Sequence, residues 1–370
     1  HGSTYECIEQ PDFITYDGNV FRPVDLQVGP DGALYIADFC NPVIGHYEAP
    51  LDHPDRDRNH GRIWRVIYRG PQGEAPPPKL VPYLTALTAA QLVQQLAHPY
   101  LHVRALATNY LVDAHADAAK TLAAQSLSDD ERETVRAHCL WILQRLAALD
   151  DVTLDKFAED ESRLVRVHAT RILAERPRWS DLNKHSARLN LFDGDAFVRR
   201  AAADALGQHP HVDQVSSLLV AWEKAPPDDT HLVYTIKLAL RSHVRDAEIV
   251  NQLMQRKFGK EAANLLVDIA ASSDSEVAAP IFLTHDDPAT VDRDRFQSTA
   301  ATIAKRGTRK HLAQLISQLP KWFDGEPHRE FAILTSAIDG LHQKGIPVNE
   351  QREVKAAVAR LAPVLLREIT

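Results

Sequence analysis

FRPVDLQVGPDGALYIADF, residues 21–39, with GHY at 45–47 and RDRNHGRIWRV at 56–66, is the stretch on which the fold of this chain turns. Val24, Leu26 and Val28 alternate with polar residues, the period-two pattern of a half-buried strand. Pro30-Asp31-Gly32 reads as a turn, since proline presets φ and glycine accepts the positive φ that closes a hairpin. Ala33 to Ala37 returns as a second strand, ALYIA, in residues that suit a pleated surface. Gly61 to Tyr68, GRIWRVIY, is a third, with Trp64, Val66 and Tyr68 on one face and Ile63 and Ile67 on the other. Three strands of this length form an open sheet with exposed edges, which is not stable by itself.

These strands read as part of an antiparallel β-propeller blade, an incomplete C-terminal one spanning residues 1–70. One blade cannot close a propeller, because propellers protect their edges by repetition around an axis. Residues 70–78, GPQGEAPPP, then exclude helix and central strand and predict an extended, semi-rigid linker over 71–83.

From about Leu84 to residue 370 the pattern is helical and repetitive. Val103-Arg104, Val135-Arg136, Val165-Arg166 and Val198-Arg199 recur about every 30 to 34 residues. Each pair is followed by Leu111, Leu143, Leu173 or Leu206, and preceded by His98, Asp130, Asp160 or Asp193. An aspartate just ahead of a helix is expected to cap its free N–H groups. A fifth unit keeps Asp228 and Val233 but places Tyr234 where arginine is expected. The pattern resembles HEAT repeats, in which such Asp and Arg residues form a ladder between units. Later helices are expected at 261–271, 295–305, 330–341 and 354–368. The fold class is therefore mostly α: an α-solenoid of HEAT-like repeats over 84–370, preceded by a partial propeller blade. One arginine per repeat at a fixed position favours a ladder over an anion site.

The wider composition is that of a globular protein, with 44% hydrophobic and 25% charged residues among 370. No run of about 18 apolar residues is present, so no membrane span is expected. A net charge of −8 argues against nucleic-acid binding. Cys7, Cys40 and Cys139 give neither a disulfide framework nor a CxxC motif; Cys7 and Cys40 lie in the β region, either as a pair or as separate thiols. CxxCH, HExxH, GxSxG and Walker motifs are absent, so no self-contained catalytic motif exists. The chain opens on His1, and the incomplete blade suggests an excerpt of a longer protein.

The dense polar constellation lies between the second and third strands: Asp38, Asn41, His46, Asp52, His53, Asp55, Asp57, Asn59 and His60. Asp55, Asp57 and Asn59 have the DxDxN spacing of a calcium loop, but His60 stands at the obligatory glycine and Val66 at the bidentate glutamate. His46, His53 and His60 match no common zinc spacing. Asp38, His46, Arg58 and His60 are candidates to line a propeller mouth and hold a substrate or cofactor, against a competing reading of ordinary loop hydrogen bonding.

FRPVDLQVGPDGALYIADF, NPVIGHYE and HPDRDRNHGRIWRVIYRG resemble the last blade of a bacterial family of membrane-bound dehydrogenases, itself similar to soluble quinoprotein glucose and sorbosone dehydrogenases. The segment HGSTYECIEQPDF is similar to what precedes that blade. The resemblance implies an exported, periplasmic parent with further blades, HEAT repeats and often a c-type cytochrome. It also implies pyrroloquinoline quinone (PQQ) and calcium at the propeller mouth and oxidation of sugars or alcohols. No catalytic residue of the family maps onto this chain. The expected function is thus a fragment, inactive by itself, of an exported quinoprotein-like dehydrogenase, its HEAT surface binding a protein partner; the alternative is a non-enzymatic propeller and HEAT scaffold.

Overall fold

The computed structural model describes residues 2–45, 49–50, 52–76, 83–130, 132–273, 276–285 and 293–367, except the side chains of 278 and 285. It comprises two compact units, Glu6–Ile172 and His1–Tyr5 with Leu173–Thr370.

Unit Glu6–Ile172 opens with an antiparallel sheet of β1 (Pro23–Val28), β2 (Leu34–Asp38) and β3 (Arg62–Val66), in that spatial order. The Pro30-Asp31-Gly32 turn forms as expected: Gly32 takes φ 77°, and the Gly29 N–H donates to the Ala33 carbonyl at 2.8 Å. Any side chain at Gly32 would collide with the Tyr100 hydroxyl, so this glycine also admits a close neighbour. Register pairs Leu26 with Ile36 and Ile36 with Trp64, and Val28 with Leu34 and Leu34 with Val66, which puts all six on one face.

That face is covered unevenly. Over β2 and β3 the chain before the sheet supplies Tyr16 and Phe21, with Phe21 edge-on to Trp64 at 6.4 Å, and Ile36 is buried. Over β1 the described residues supply no cover: all six of its residues are exposed, Val24 by 68% and Leu26 by 57%. The expectation of a half-buried first strand is thus corrected. Alternation marks which side chains share a face, whereas burial needs a covering layer, and none among the described residues reaches β1.

The same unit continues with α1 (Ala89–Gln95), α2 (Leu101–Ala114), α3 (Ala116–Asp129), α4 (Glu133–Arg145), α5 (Asp151–Ala158) and most of α6 (Arg163–Glu175). Thr88 and Gln91 form a reciprocal capping box at the start of α1. Helix α1 packs on α3 and α2 on α4, so alternate helices form two layers, the mark of stacked helical hairpins. Val103, Val135 and Val165 are fully buried, as the repeat alignment requires.

The other unit holds α7 (Asp181–Asn190), α8 (Ala196–Gln208), α9 (Val212–Lys224), α10 (Thr230–His243), α11 (Ala247–Leu253), α12 (Lys260–Ser272), α13 (Ala279–His285), α14 (Arg293–Arg306), α15 (Arg309–Trp322), α16 (Pro327–Gln343) and α17 (Arg352–Arg367). The alternation persists: α8 packs on α10, α9 on α11, α14 on α16 and α15 on α17. At Gly340 a β-carbon would overlap the Ala301 carbonyl, which is how closely α14 and α16 approach. The unit also takes in the first residues of the chain. The Ser3 N–H and hydroxyl donate to the Asp229 carboxylate at 2.9 and 2.6 Å, and the Tyr5 ring lies 5.3 Å from Phe197.

Each repeat arginine turns back to the turn before its own helix. Arg104, Arg136, Arg166 and Arg199 donate from Nη1 to the carbonyls of His98, Asp130, Asp160 and Asp193, at 2.6, 3.3, 2.9 and 2.8 Å. Arg136 also spans to the next repeat, donating to both Asp160 oxygens at 2.8 and 3.1 Å. The turn aspartates differ from their expected role. Asp130, Asp160 and Asp193 accept the N–H two residues on, whereas α4 and α8 begin after Arg132 and Asp195. A short carboxylate reaches its own turn more easily than a helix starting further along. The fold is a mostly α chain of stacked helical repeats after a small antiparallel sheet.

Candidate functional site

Asp38 closes β2, 3% exposed, and is the best-connected of the candidate residues. Its carboxylate accepts from the Arg22 and Cys40 N–H groups at 2.8 and 2.9 Å, from Arg62 Nε at 3.0 Å and from Trp64 Nε1 at 2.9 Å. Burial pushes its pKa up, but the donors from Trp64, Arg22, Cys40 and Arg62 outweigh it and hold the carboxyl at about 2. The Arg62 guanidinium is shared between this carboxylate and the rings of Tyr16 and Trp64, 5.5 and 5.0 Å from their centroids. Cys40, at φ 51°, is held in the left-handed region by the bond from its N–H to Asp38. All of this occupies the carboxylate in tying β2, β3 and the preceding chain together.

A second such knot lies across the hairpin. Asp31, also 3% exposed, accepts from Arg65 Nη2 and Nε at 2.6 and 2.9 Å, from the Tyr35 hydroxyl at 3.1 Å and from the Ala33 N–H at 3.1 Å. Burial raises its pKa, and these donors bring the net below the ordinary value. Arg22, Arg62, Trp64, Asp31 and Arg65 are the residues that sequence reasoning missed here. The signal was present in two aspartates, one in the hairpin turn and one closing β2, with arginines on β3.

The other loop candidates do not converge on Asp38. Arg58 is exposed, and His60, also exposed, bonds through Nδ1 to the Asp57 carboxylate at 2.9 Å. Asp57 Oδ1 further accepts the Asn59 and His60 N–H groups at 2.9 and 3.2 Å, which lowers its pKa, the Asn59 bond being the largest cause. Asp55 is exposed, with its N–H donated to His53. Among the described residues no group of three or more His, Cys, Asp or Glu side chains is arranged to hold a metal ion. His46 lies outside the described residues. Cys7, Cys40 and Cys139 are free thiols, and burial pushes the Cys139 thiol up to about 12.

The helical part carries its own internal polar rail. His138 Nδ1 lies 2.9 Å from the Thr108 hydroxyl, and Trp141 Nε1 donates to His168 Nδ1 at 2.9 Å, joining α2 to α4 and α4 to α6. Burial holds both histidines at about 4, so they are neutral at physiological pH and serve as hydrogen-bonding groups.

The β region also presents large apolar side chains outward. Ile8, Phe13, Val24, Leu26, Ile63 and Tyr68 are each more than half exposed. Val24 and Leu26 stand on β1, and Ile63 lies on the opposite face of the sheet from Leu26.

Residues 1–70 match a domain of unknown function, DUF7133, over the span that reads as the partial blade. No curated protein matches the chain. Among solved structures, it is similar to an engineered protein at 15% identity, over 73% of this chain and 97% of that one, with a TM-score of 0.29. It is likewise similar to a designed armadillo repeat protein at 16% identity, over 69% of this chain and 100% of the other, with a TM-score of 0.29. Among the described residues, no helix is long and apolar enough to cross a membrane.

Proposed function

We propose that residues 1–70 form a partial β-propeller blade completed by further β-structure, and that the helical repeats are a protein-interaction scaffold attached to it. The observation carrying this reading is β1: an edge strand whose Val24, Leu26 and Val28 side chains stand 68%, 57% and 49% exposed. Covering three such side chains is worth roughly 4 kcal/mol, a driving force that the chain leaves unused. The resemblance of the blade sequence extends the proposal to an exported, quinoprotein-like parent that oxidises sugars or alcohols. PQQ, calcium and the catalytic groups would then be held by blades other than this one, and the chain alone would be inactive. The knotted carboxylates of Asp38 and Asp31 support that division, since neither is free for proton transfer or metal ligation.

Two measurements test the two halves. Hydrogen exchange over residues 21–39 should be fast in this chain and slow in the complete gene product; equally slow exchange in both would overturn the blade reading. Dye-linked oxidation of a sugar and alcohol panel with added PQQ and calcium should occur with the complete product and not with this chain. Turnover by neither leaves a non-enzymatic scaffold and removes the dehydrogenase half.

A further inference from the structure

We infer that the cleft between α8 and α10 is a recognition site for a lone carboxylate side chain of a partner protein, a deepening that rests on the scaffold reading above. The cleft has a volume of about 210 Å³ and is lined by Asp204 and Gln208 from α8 and by Thr235, Arg241, Ser242 and Arg245 from α10 and its end. Its floor is set by Gly207: a β-carbon there would stand 2.9 Å from the Ala239 Cα, so the helices meet without a side chain between them.

Arg241 distinguishes this cleft. Its Nε is buried without a hydrogen-bond partner, and no other group of the described residues pairs with its guanidinium. Arg22, Arg56, Arg104 and Arg295 also bury Nε, but each donates from another guanidinium nitrogen to a backbone carbonyl. Arg241 sits in the last turn of α10, yet it bonds none of the free carbonyls there. Arg245, beside it, is likewise without a side-chain partner among the described residues. One half-buried guanidinium, Arg241, and one exposed, Arg245, neither paired among the described residues, give this cleft a positive donor set that suits an anion. A planar guanidinium takes a carboxylate through two parallel N–H bonds, and the Gln208 amide extends the donor set, whereas the Thr235 and Ser242 hydroxyls donate to the His231 and Leu238 carbonyls of their own helix. Asp204 on the same lining repels a second negative charge, so the site suits one glutamate or aspartate in an otherwise neutral segment rather than an acidic run.

The test uses the full chain and the blocked pentapeptide acetyl-Gly-Ser-Glu-Ser-Gly-amide, with its glutamine counterpart, followed by ligand-observed NMR. The glutamate peptide should bind with a dissociation constant near ~1 mM, and the glutamine peptide about tenfold more weakly. Arg241→Gln with Arg245→Gln should remove the difference, Asp204→Asn should tighten binding about threefold, and Arg188→Gln, away from the cleft, should leave it unchanged. Circular dichroism and melting show whether each variant is folded. Equal binding of the two peptides, no binding up to ~20 mM, or unchanged selectivity in the double variant each overturns the assignment. Inorganic phosphate at equal ionic strength should compete no better than acetate; tenfold stronger competition would make the ligand a phosphate instead. Hydrogen exchange over residues 21–39 involves neither α8 nor α10, so the blade reading stands or falls separately, and loss of the Arg241 effect leaves the scaffold reading in place.

Discussion

The bond from Arg136 to Asp160 is the place where one repeat is visibly locked to the next, and its removal can be worked through. The two side chains are 9% and 10% exposed, and the pair is bidentate at 2.8 and 3.1 Å. In Arg136→Met, the Asp160 carboxylate keeps the Ser162 N–H at 2.8 Å as its donor among the described residues, in a nearly dry setting. Stranding a buried charge in this way costs about 3 kcal/mol. Asp160→Asn keeps the turn bond and weakens the pair by about 2 kcal/mol. The double variant should cost less than the sum, with a coupling energy of about 1.5 kcal/mol. Native-state hydrogen exchange resolved to peptides of α4 and α6 is the appropriate assay, because repeats open locally and a single global midpoint would blur the effect. Exchange in α14 and α16 should not move. A coupling below about 0.5 kcal/mol, or equal acceleration along the whole chain, would refute the view that this pair joins two neighbouring repeats.

Gly340→Ala should destabilise the packing of α14 on α16 by about 2 kcal/mol despite alanine's better helix propensity, seen as faster exchange in both helices. Asp38 has a folded pKa of about 2 against an ordinary 3.8, so its contribution is complete above pH ~4 and is lost as pH falls toward 2. Allowing for the partly exposed Arg62, that contribution is about 1 kcal/mol, and Asp38→Asn should flatten the acid limb of a β-region stability profile. His138 and His168, held at about 4, act in the same direction over a higher window: stability is full above pH ~6.5 and falls as pH drops toward 4. Their replacement by glutamine should therefore reduce acid-induced opening of α2, α4 and α6. Leu26→Thr should leave the melting of this chain within about 0.5 kcal/mol, since the side chain is already exposed, while weakening association with covering β-structure.

Periodicity carried a large part of this fold. The recurrence of Val-Arg with a leucine behind it located buried faces at 103, 135, 165 and 198, because a residue facing the stack in one repeat must do so in each. The Pro30-Asp31-Gly32 turn was equally legible, since only glycine takes φ 77° without strain. Helices with weaker spacing were placed approximately: the stretch expected at 330–341 extends over 327–343 in α16, and α15 falls in the helical region without having been singled out. The loop candidates Asp38, Arg58 and His60 were read as neighbours in sequence, but only Asp38 is buried, and its partners come from residues 22, 40, 62 and 64. Which donors meet a carboxylate is a matter of strand register, and register is not local.

By itself, then, the sequence determined the element types, the repeat unit and which side chains share a face, because each follows from the fixed periods of helix and strand. The tertiary structure decided what those faces meet. Among the described residues it left β1 bare although its pattern matches that of a buried strand, engaged Asp38 in a knot of donors, and left Arg241 without a partner between two helices. Contact depends on what packs alongside, and no local pattern encodes that.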